Sequence, residues 1–543
     1  MFIPLGFLSI FFIFPLINII LRGLGDNGLL DLLPFKQIIS ETYYLERIWF
    51  TLWQASISTI LTLIIGLPVA FVFARYEFPC KELLKSLTTL PFVMPTIVVA
   101  IGFGALLGPN GLLNQVMMTV FDLKQSIINF QNTLVIIFAA HVFYNYSIVV
   151  RIVSNNWSNL DPNLEGSAKM LGAGRLRVFW YIELPLLLPS IISAALLSFI
   201  FAFSSFGVIL ILGGPQFATL EVTIYELTTK LFRLPLAAAL CLIQISVSYL
   251  FLFLYARLQD KTHTILNFKP YHSTLRYPVT KLEKVFVILT LIMVLLILSP
   301  LVALVGKSVY VREGFSIVNF VNLFTNPNDS YFYLSPMVII WNSIRFGVIT
   351  IVISLIIGTM SAIFLGGKGK KTGLLDSLLM LPLGASAVVL GYGFLISFNR
   401  SPIDLRASWV LLVIAHSLIA YPFVIRSILP VLQSINPGLR EAASVLGASE
   451  FMKIVKIDLP IISRAMLVGA TFAFAVSIGE FGASMLLTRP EMTTMPISIY
   501  QSLSQPGDEN IGKAMAMAVL LMMVIGTSFV AIEKIRYKGI GSF

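Results

Sequence analysis

NLDPNLEGSAKMLGAGRLRVFWYIELP at residues 159–185 and SINPGLREAASVLGASEFMKIVKIDLP at residues 434–460 are two versions of one segment, 275 positions apart. In each, an Asx-Pro pair opens a stretch fit for a short helix, with Pro162 and Pro437 suited to its first turn. Gly172 and Gly447 supply the turn that ends it. Leu184-Pro185 and Leu459-Pro460 then mark the expected return of the chain to the membrane. The same offset pairs His141 with His416, Tyr146 with Tyr421, Arg151 with Arg426, Phe206-Gly207 with Phe481-Gly482 and Tyr225 with Tyr500. Further upstream the offset becomes 291 to 292, pairing Trp49 with Trp341, Gly66 with Gly358 and Pro91 with Pro382, as a shorter outer loop in the second copy requires.

The doubled chain is too apolar for water. Its 543 residues are 57% hydrophobic and 12% charged, with a mean hydropathy of +0.91. The apolar runs are about 20 residues long, the length of a helix crossing a bilayer core, whereas barrel strands need only about 10 in alternation. The expected fold class is all-α, a polytopic membrane protein with about twelve spans near residues 2–21, 48–73, 87–107, 133–150, 186–212, 234–256, 285–305, 341–365, 375–397, 408–425, 461–487 and 514–532. Six spans per copy is an even number, so both copies enter from the same side and the repeat is parallel, about an axis along the membrane normal. The domains expected are a first half at 1–256, a basic, aromatic-spotted linker at 257–284 and a second half at 285–543.

Charge orients the bundle. With the N-terminus inside, 24 of the 37 Lys and Arg fall in cytoplasmic segments, so both termini and both quoted loops are expected on the cytoplasmic side. The net charge of +11 is thus a topology signal, and nucleic acid is not an expected partner. The run Phe2 to Leu21 lacks a basic leader region and a small-residue cleavage site, and reads as a retained span. Cys80 and Cys241 suggest neither a disulfide framework nor a metal cluster.

The quoted loops resemble the EAA loop of binding-protein-dependent ABC importers, in which Glu-Ala-Ala is followed by a Gly four residues after the second Ala and then by Ile-x-Leu-Pro. Glu441, Ala442, Ala443, Gly447, Ile457, Leu459 and Pro460 match in full. In the first copy Ala168, Gly172, Ile182, Leu184 and Pro185 match, but Gly166 and Ser167 stand where Glu and Ala are expected, and Glu165 comes one residue early. The resemblance implies a type I importer permease fold in a prokaryotic cell membrane, with each short helix docking on one of two copies of an ATPase subunit. It implies an extracytoplasmic binding protein as a further partner, and no cofactor on this chain, ATP-Mg being held by the ATPase. GGKGKKTG at 366–373 lacks the Gly-Lys-Ser/Thr of a P-loop and reads as a basic inter-span turn. Over almost its whole length the chain is similar to fused two-half permeases of the thiamine and ferric-iron importer group. FTLWQASIS, AAHVFYN, FSSFGVILILGGPQFATLEVTIYE and AIEK lean towards thiamine, while GEFGAS with LLTRPEMTTMPISIYQSL also resembles iron permeases.

Polar side chains within spans tend to face a cavity or the bundle interior. Glu480, with Ser205 as its counterpart, stands beside Phe481 and Phe206 on the fifth span of each half, and His141, Tyr144, Asn145, His416 and Tyr421 mark the fourth. Both sets are candidates for the substrate pathway, and bonding between helices would explain them as well. A six-plus-six secondary transporter would share the topology but not the paired loops. A membrane enzyme would need a catalytic constellation that four scattered histidines and one intramembrane acid do not supply.

Overall fold

The computed structural model describes residues 2–25, 31–262, 275–311, 314–325, 334–366, 373–400, 403–405 and 408–537. Much of the linker and most of the basic turn at 366–373 therefore lie outside the described residues. Among those described, eleven helices are long and apolar enough to cross a bilayer, and one pair bent by 106° passes the same test together, giving twelve when it is counted as one span, as in the numbering below. In a bilayer core the backbone must satisfy its own polar groups, which long helices do. Spans 1 to 6 are Phe2–Leu24, Thr42–Arg75, Thr96–Phe121, Leu134–Ser158, Leu176–Phe203 and Leu234–Leu258. Spans 7 to 12 are Lys281–Val309, Pro336–Gly366, the pair Leu378–Gly384 with Ala387–Ser397, Trp409–Gln433, Glu450–Gly479 and Asp508–Val530. The two ladders at 310–315 and 399–404 have two residues per strand and leave the class all-α.

Two expectations need correcting. The run at 87–107 is not one helix: one segment ends at Val93 and the next starts at Thr96, and its counterpart in span 9 bends by 106° between Gly384 and Ala387. Pro95 forces Met94 into an extended conformation with ψ 139°, and on the other side Ser386 caps the new helix by accepting from Val389 N. Nor do the helices of the fifth spans start just after Leu-Pro, as the runs expected at 186–212 and 461–487 would have it. Span 5 already begins at Leu176 and span 11 at Glu450, and each runs through its Leu-Pro by a π-turn, in which Leu184 N donates to Phe179 O and Leu459 N to Ile454 O. A proline cannot complete an i to i−4 ladder, and the wider turn keeps the helix going.

The first span of each half crosses over to the other half. Span 1 lies on span 9, with Asn18 Nδ2 donating to Ser397 Oγ at 3.0 Å and an added Cβ on Gly393 meeting Ile19 and Pro15 at 3.0 and 3.2 Å. Span 7 lies on span 3 in the same way, where a Cβ on Gly102, the counterpart of Gly393, would stand 2.8 Å from Pro300 O. Within each half the segment after the fifth span is pinned to the second by matching bonds, Leu220 N to Thr51 Oγ1 at 3.0 Å and Met495 N to Ser343 Oγ at 2.8 Å.

Candidate translocation and coupling sites

The fifth crossings are also interrupted, at 204–206 in the first half and at 480–481 in the second, before short helical segments resume at Gly207 and Gly482. Glycine is required here by close approach. A Cβ on Gly207 would lie 2.4 Å from Thr96 Oγ1, and one on Gly482 would lie 3.0 Å from Ala387 Cβ, so each break in a fifth span is seated on the break in the third.

The two halves meet at these interruptions. Phe206 stacks on Phe481 with centroids 5.6 Å apart and planes inclined by 30°. Tyr225 closes on Phe206 at 5.5 Å and its counterpart Tyr500 on Phe481 at 5.6 Å, giving a four-ring row with the pseudo-symmetry of the repeat. Aromatic pairs in these geometries are worth about 0.5–1.5 kcal/mol each beyond the area they bury.

A histidine engages each interrupted segment through the residue that precedes the ring, Ser205 in the first half and Glu480 in the second. His141 Nδ1 is 2.9 Å from Ser58 Oγ on span 2, and its Nε2 is 2.9 Å from Ser205 Oγ. His416 Nδ1 is 2.9 Å from Ser477 Oγ, which donates to Thr350 Oγ1 at 3.1 Å, and its Nε2 is 3.0 Å from Ser484 Oγ and 3.3 Å from Glu480 Oε2. The Glu480 carboxylate also accepts from Ala483 N at 2.8 Å and from Ser484 N and Oγ at 2.9 and 2.8 Å, and so caps the resumed helix. Ser205, Phe206, His141, Glu480, Phe481 and His416 are thus brought into one zone across the interface between halves. Tyr421 is placed elsewhere, donating to Leu379 O in the first leg of span 9. Asn145 and Tyr144 lie in the packing of span 4, Asn145 fully inside it and the Tyr144 hydroxyl buried.

The coupling loops are alike in geometry. The first short helix is Pro162–Met170 and the second Pro437–Val445, with Asp161 Oδ1 accepting from Asn163 N and Asn436 Oδ1 from Gly438 N. Gly172 and Gly447 have φ of +82° and +79°, the left-handed region, and the residues after them close the turn by Ala173 N to Ala168 O and Ala448 N to Ala443 O. Glu441, Ala442, Gly166 and Ser167 are exposed, while Ala168 is buried and Glu165 half-buried. Just before the glycine each loop holds two apolar side chains out to solvent: Met170 and Leu171 are 91% and 88% exposed, Val445 and Leu446 88% and 86%.

Sequence reading missed a buried acid outside the spans proper. Glu221, on the helix Leu220–Thr229, accepts from Gln244 Nε2 at 2.8 Å and, across the halves, from Ser386 Oγ at 3.0 Å. The repeat puts Pro496, Val519 and Pro95 in the places of Glu221, Gln244 and Ser386, so this polar contact exists on one side of the pseudo-axis.

Residues 63–264 match the family model described as the binding-protein-dependent transport system inner membrane component. The chain is 24% identical over 513 residues to the thiamine transport system permease protein ThiP of Escherichia coli (strain K12), covering 92% of this chain and 90% of that protein. It is 26% identical to the ThiP of Brucella abortus (strain 2308), covering 89% and 88%, and 23% identical to the probable ABC transporter permease protein y4fN of Sinorhizobium fredii, covering 88% and 85%. A solved bacterial ABC transporter involved in the import of the acidic polysaccharide alginate aligns over 48% of this chain and 92% of its own at 18% identity and a TM-score of 0.41.

Proposed function

Because this chain is a multi-pass permease of an ABC importer, we propose that its cargo is thiamine, handed over by an extracytoplasmic binding protein and passed between its two halves, 1–256 and 285–543. The observation that carries the cargo is the likeness, over about nine-tenths of the chain, to permeases named for thiamine. The site supports it chemically. A thiazolium ring is flat and permanently positive, and a path between the faces of Phe206 and Phe481, with the acid Glu480 adjoining Phe481 in the chain, offers cation–π and charge contacts to it, the former worth about 0.5–2 kcal/mol. In the state described the stacked rings are the closed gate, and parting of the halves opens it.

Energy enters through the two loops. Their exposed apolar pairs dock on two copies of an ATPase subunit, which holds ATP-Mg, and both chain termini lie on that cytoplasmic side. The purified chain is expected to hydrolyse no ATP until the ATPase subunit is added; turnover by the chain alone would end this reading. In proteoliposomes holding chain, ATPase and binding protein, ATP-dependent uptake of labelled thiamine is expected. Uptake of ferric ion with none of thiamine would overturn the cargo and leave the importer.

A further inference from the structure

The residue before Leu-Pro is acidic in both loops, Glu183 in the first and Asp458 in the second, and both are buried. In the second half the neutralising cation sits on the short helix itself. Arg440 forks onto Asp458, Nε to Oδ1 at 3.0 Å and Nη2 to Oδ2 at 2.9 Å. In the first half the residue at that register is Glu165, of the same sign as Glu183, and the cation comes from elsewhere. Arg75, the last residue of span 2, reaches Glu183 Oε1 with Nη2 at 2.7 Å and Glu165 Oε2 with Nη1 at 3.1 Å, while Trp157 Nε1 donates to Glu183 Oε2 at 3.0 Å. The second half has Gly366-Gly367 at the register of Arg75. The charge has changed places between helix and span, and the clamp has been kept.

We infer that Arg75 is the first half's counterpart of Arg440, a positioning residue that clamps the first coupling helix to the buried carboxylate at the base of span 5. A planar guanidinium with two carboxylates in reach is suited to this, since it can bond both at once. The surroundings favour a cation there. A cavity of about 380 Å³, lined by Leu67, Phe71, Trp157, Phe179 and Phe286 and by Arg276, which is itself held by Glu283 at 2.7 Å, opens beside the cluster, so the buried Glu183 carboxylate at its edge is a charge that Arg75 neutralises. The linker is tied to the same point, with Arg276 N donating to Arg75 O at 3.1 Å and Glu77 N to Arg276 O at 2.9 Å. The first loop's departure from the EAA pattern is thereby matched by a different anchor.

The consequence for coupling rests on the docking of these loops on the ATPase proposed above, and the test separates the two. On the whole chain in nanodiscs, chymotrypsin cleavage within residues 159–177, whose sites at Leu171 and Leu176 are the same in every variant, is expected at least fivefold faster in Arg75→Met. It should return to within twofold of wild type in Arg75→Met/Glu165→Arg, which moves the guanidinium to the place Arg440 occupies in the other half. In the full complex, stimulation of ATP hydrolysis by loaded binding protein should fall and recover in the same order. If Arg75→Met cleaves like wild type, or the double variant cleaves no slower than the single, the clamp is overturned. If cleavage follows expectation while stimulation stays at the wild-type level in both, the clamp stands and the docking reading falls. Should Arg75→Met insert too poorly to assay, recovery of insertion by the double variant supports the clamp, and no recovery overturns it.

Discussion

Gly447→Trp is expected to abolish cargo-driven ATP hydrolysis and uptake, by 100-fold or more, while the chain still inserts and purifies normally. Two effects combine. At φ +79° any L side chain is strained, by roughly 1–2 kcal/mol. That alone loosens the turn presenting Val445 and Leu446, and Gly447→Ala, which carries the strain without the bulk, is expected to lose on the order of tenfold. The indole adds obstruction. Among the described residues, leaving out its two chain neighbours, nothing lies within 4 Å of a Cβ at this position, so the folded chain has room and the bulk is felt by whatever docks there. Gly172 has the same φ within a few degrees and equally open surroundings, so its turn predicts the same strain. The first loop nevertheless departs from the family pattern at Gly166 and Ser167, and Gly172→Trp is expected to be the milder of the two. Transport-coupled ATPase activity of both variants checks this; wild-type coupling in Gly447→Trp, or a larger loss at Gly172, would show the docking surface or its ranking to be wrong.

What the sequence disclosed and what it hid have physical reasons. The short coupling helices were legible because their signals are local: an Asx-Pro start, a glycine whose lack of a Cβ the turn uses, and a second copy in register. The breaks in spans 3, 5, 9 and 11 were not, because apolar sequence continues across Met94-Pro95 and resumes directly after Glu480, and what holds these bends is the other bend packed against it. Glu221 was passed over because TLEVTIYE reads as an outer loop, although Ser386 and Gln244, distant in sequence, bury it. The Arg75 cluster joins residues 90 and 108 positions apart, beyond any periodicity. One clue to it was present and unused: the x of Ile-x-Leu-Pro is a carboxylate in both copies, and a repeated acid at the foot of a span calls for a cation.

Glu480 decides whether the acid at the gate serves the cargo or only the fold. From sequence alone Glu480→Gln is the natural test, since it keeps shape and deletes charge, and uptake at saturating binding protein is expected to slow without loss of assembly. The geometry sharpens the choice. The two oxygens accept from two backbone N–H groups and one hydroxyl, all buried, and an amide has only one oxygen to offer, so glutamine leaves a donor unmet at about 1–3 kcal/mol. Serine is the better probe, because the first half already holds its own break with Ser205 against His141 at 2.9 Å. A hydroxyl can accept at a helix start much as a carboxylate does. Glu480→Ser is therefore expected to assemble with its ATPase in near wild-type amount and to transport about tenfold more slowly, a loss of ~1.4 kcal/mol, the size of one charge contact to a cation in a partly desolvated path. Glu480→Ala, which leaves every one of those donors unmet, should reduce assembly itself. Uptake and ATPase co-purification measured on the same preparations separate the outcomes. If Glu480→Ser carries thiamine at the wild-type rate while Glu480→Ala fails to assemble, the carboxylate is a cap for the resumed helix, and the route past Phe206 and Phe481 needs no acid.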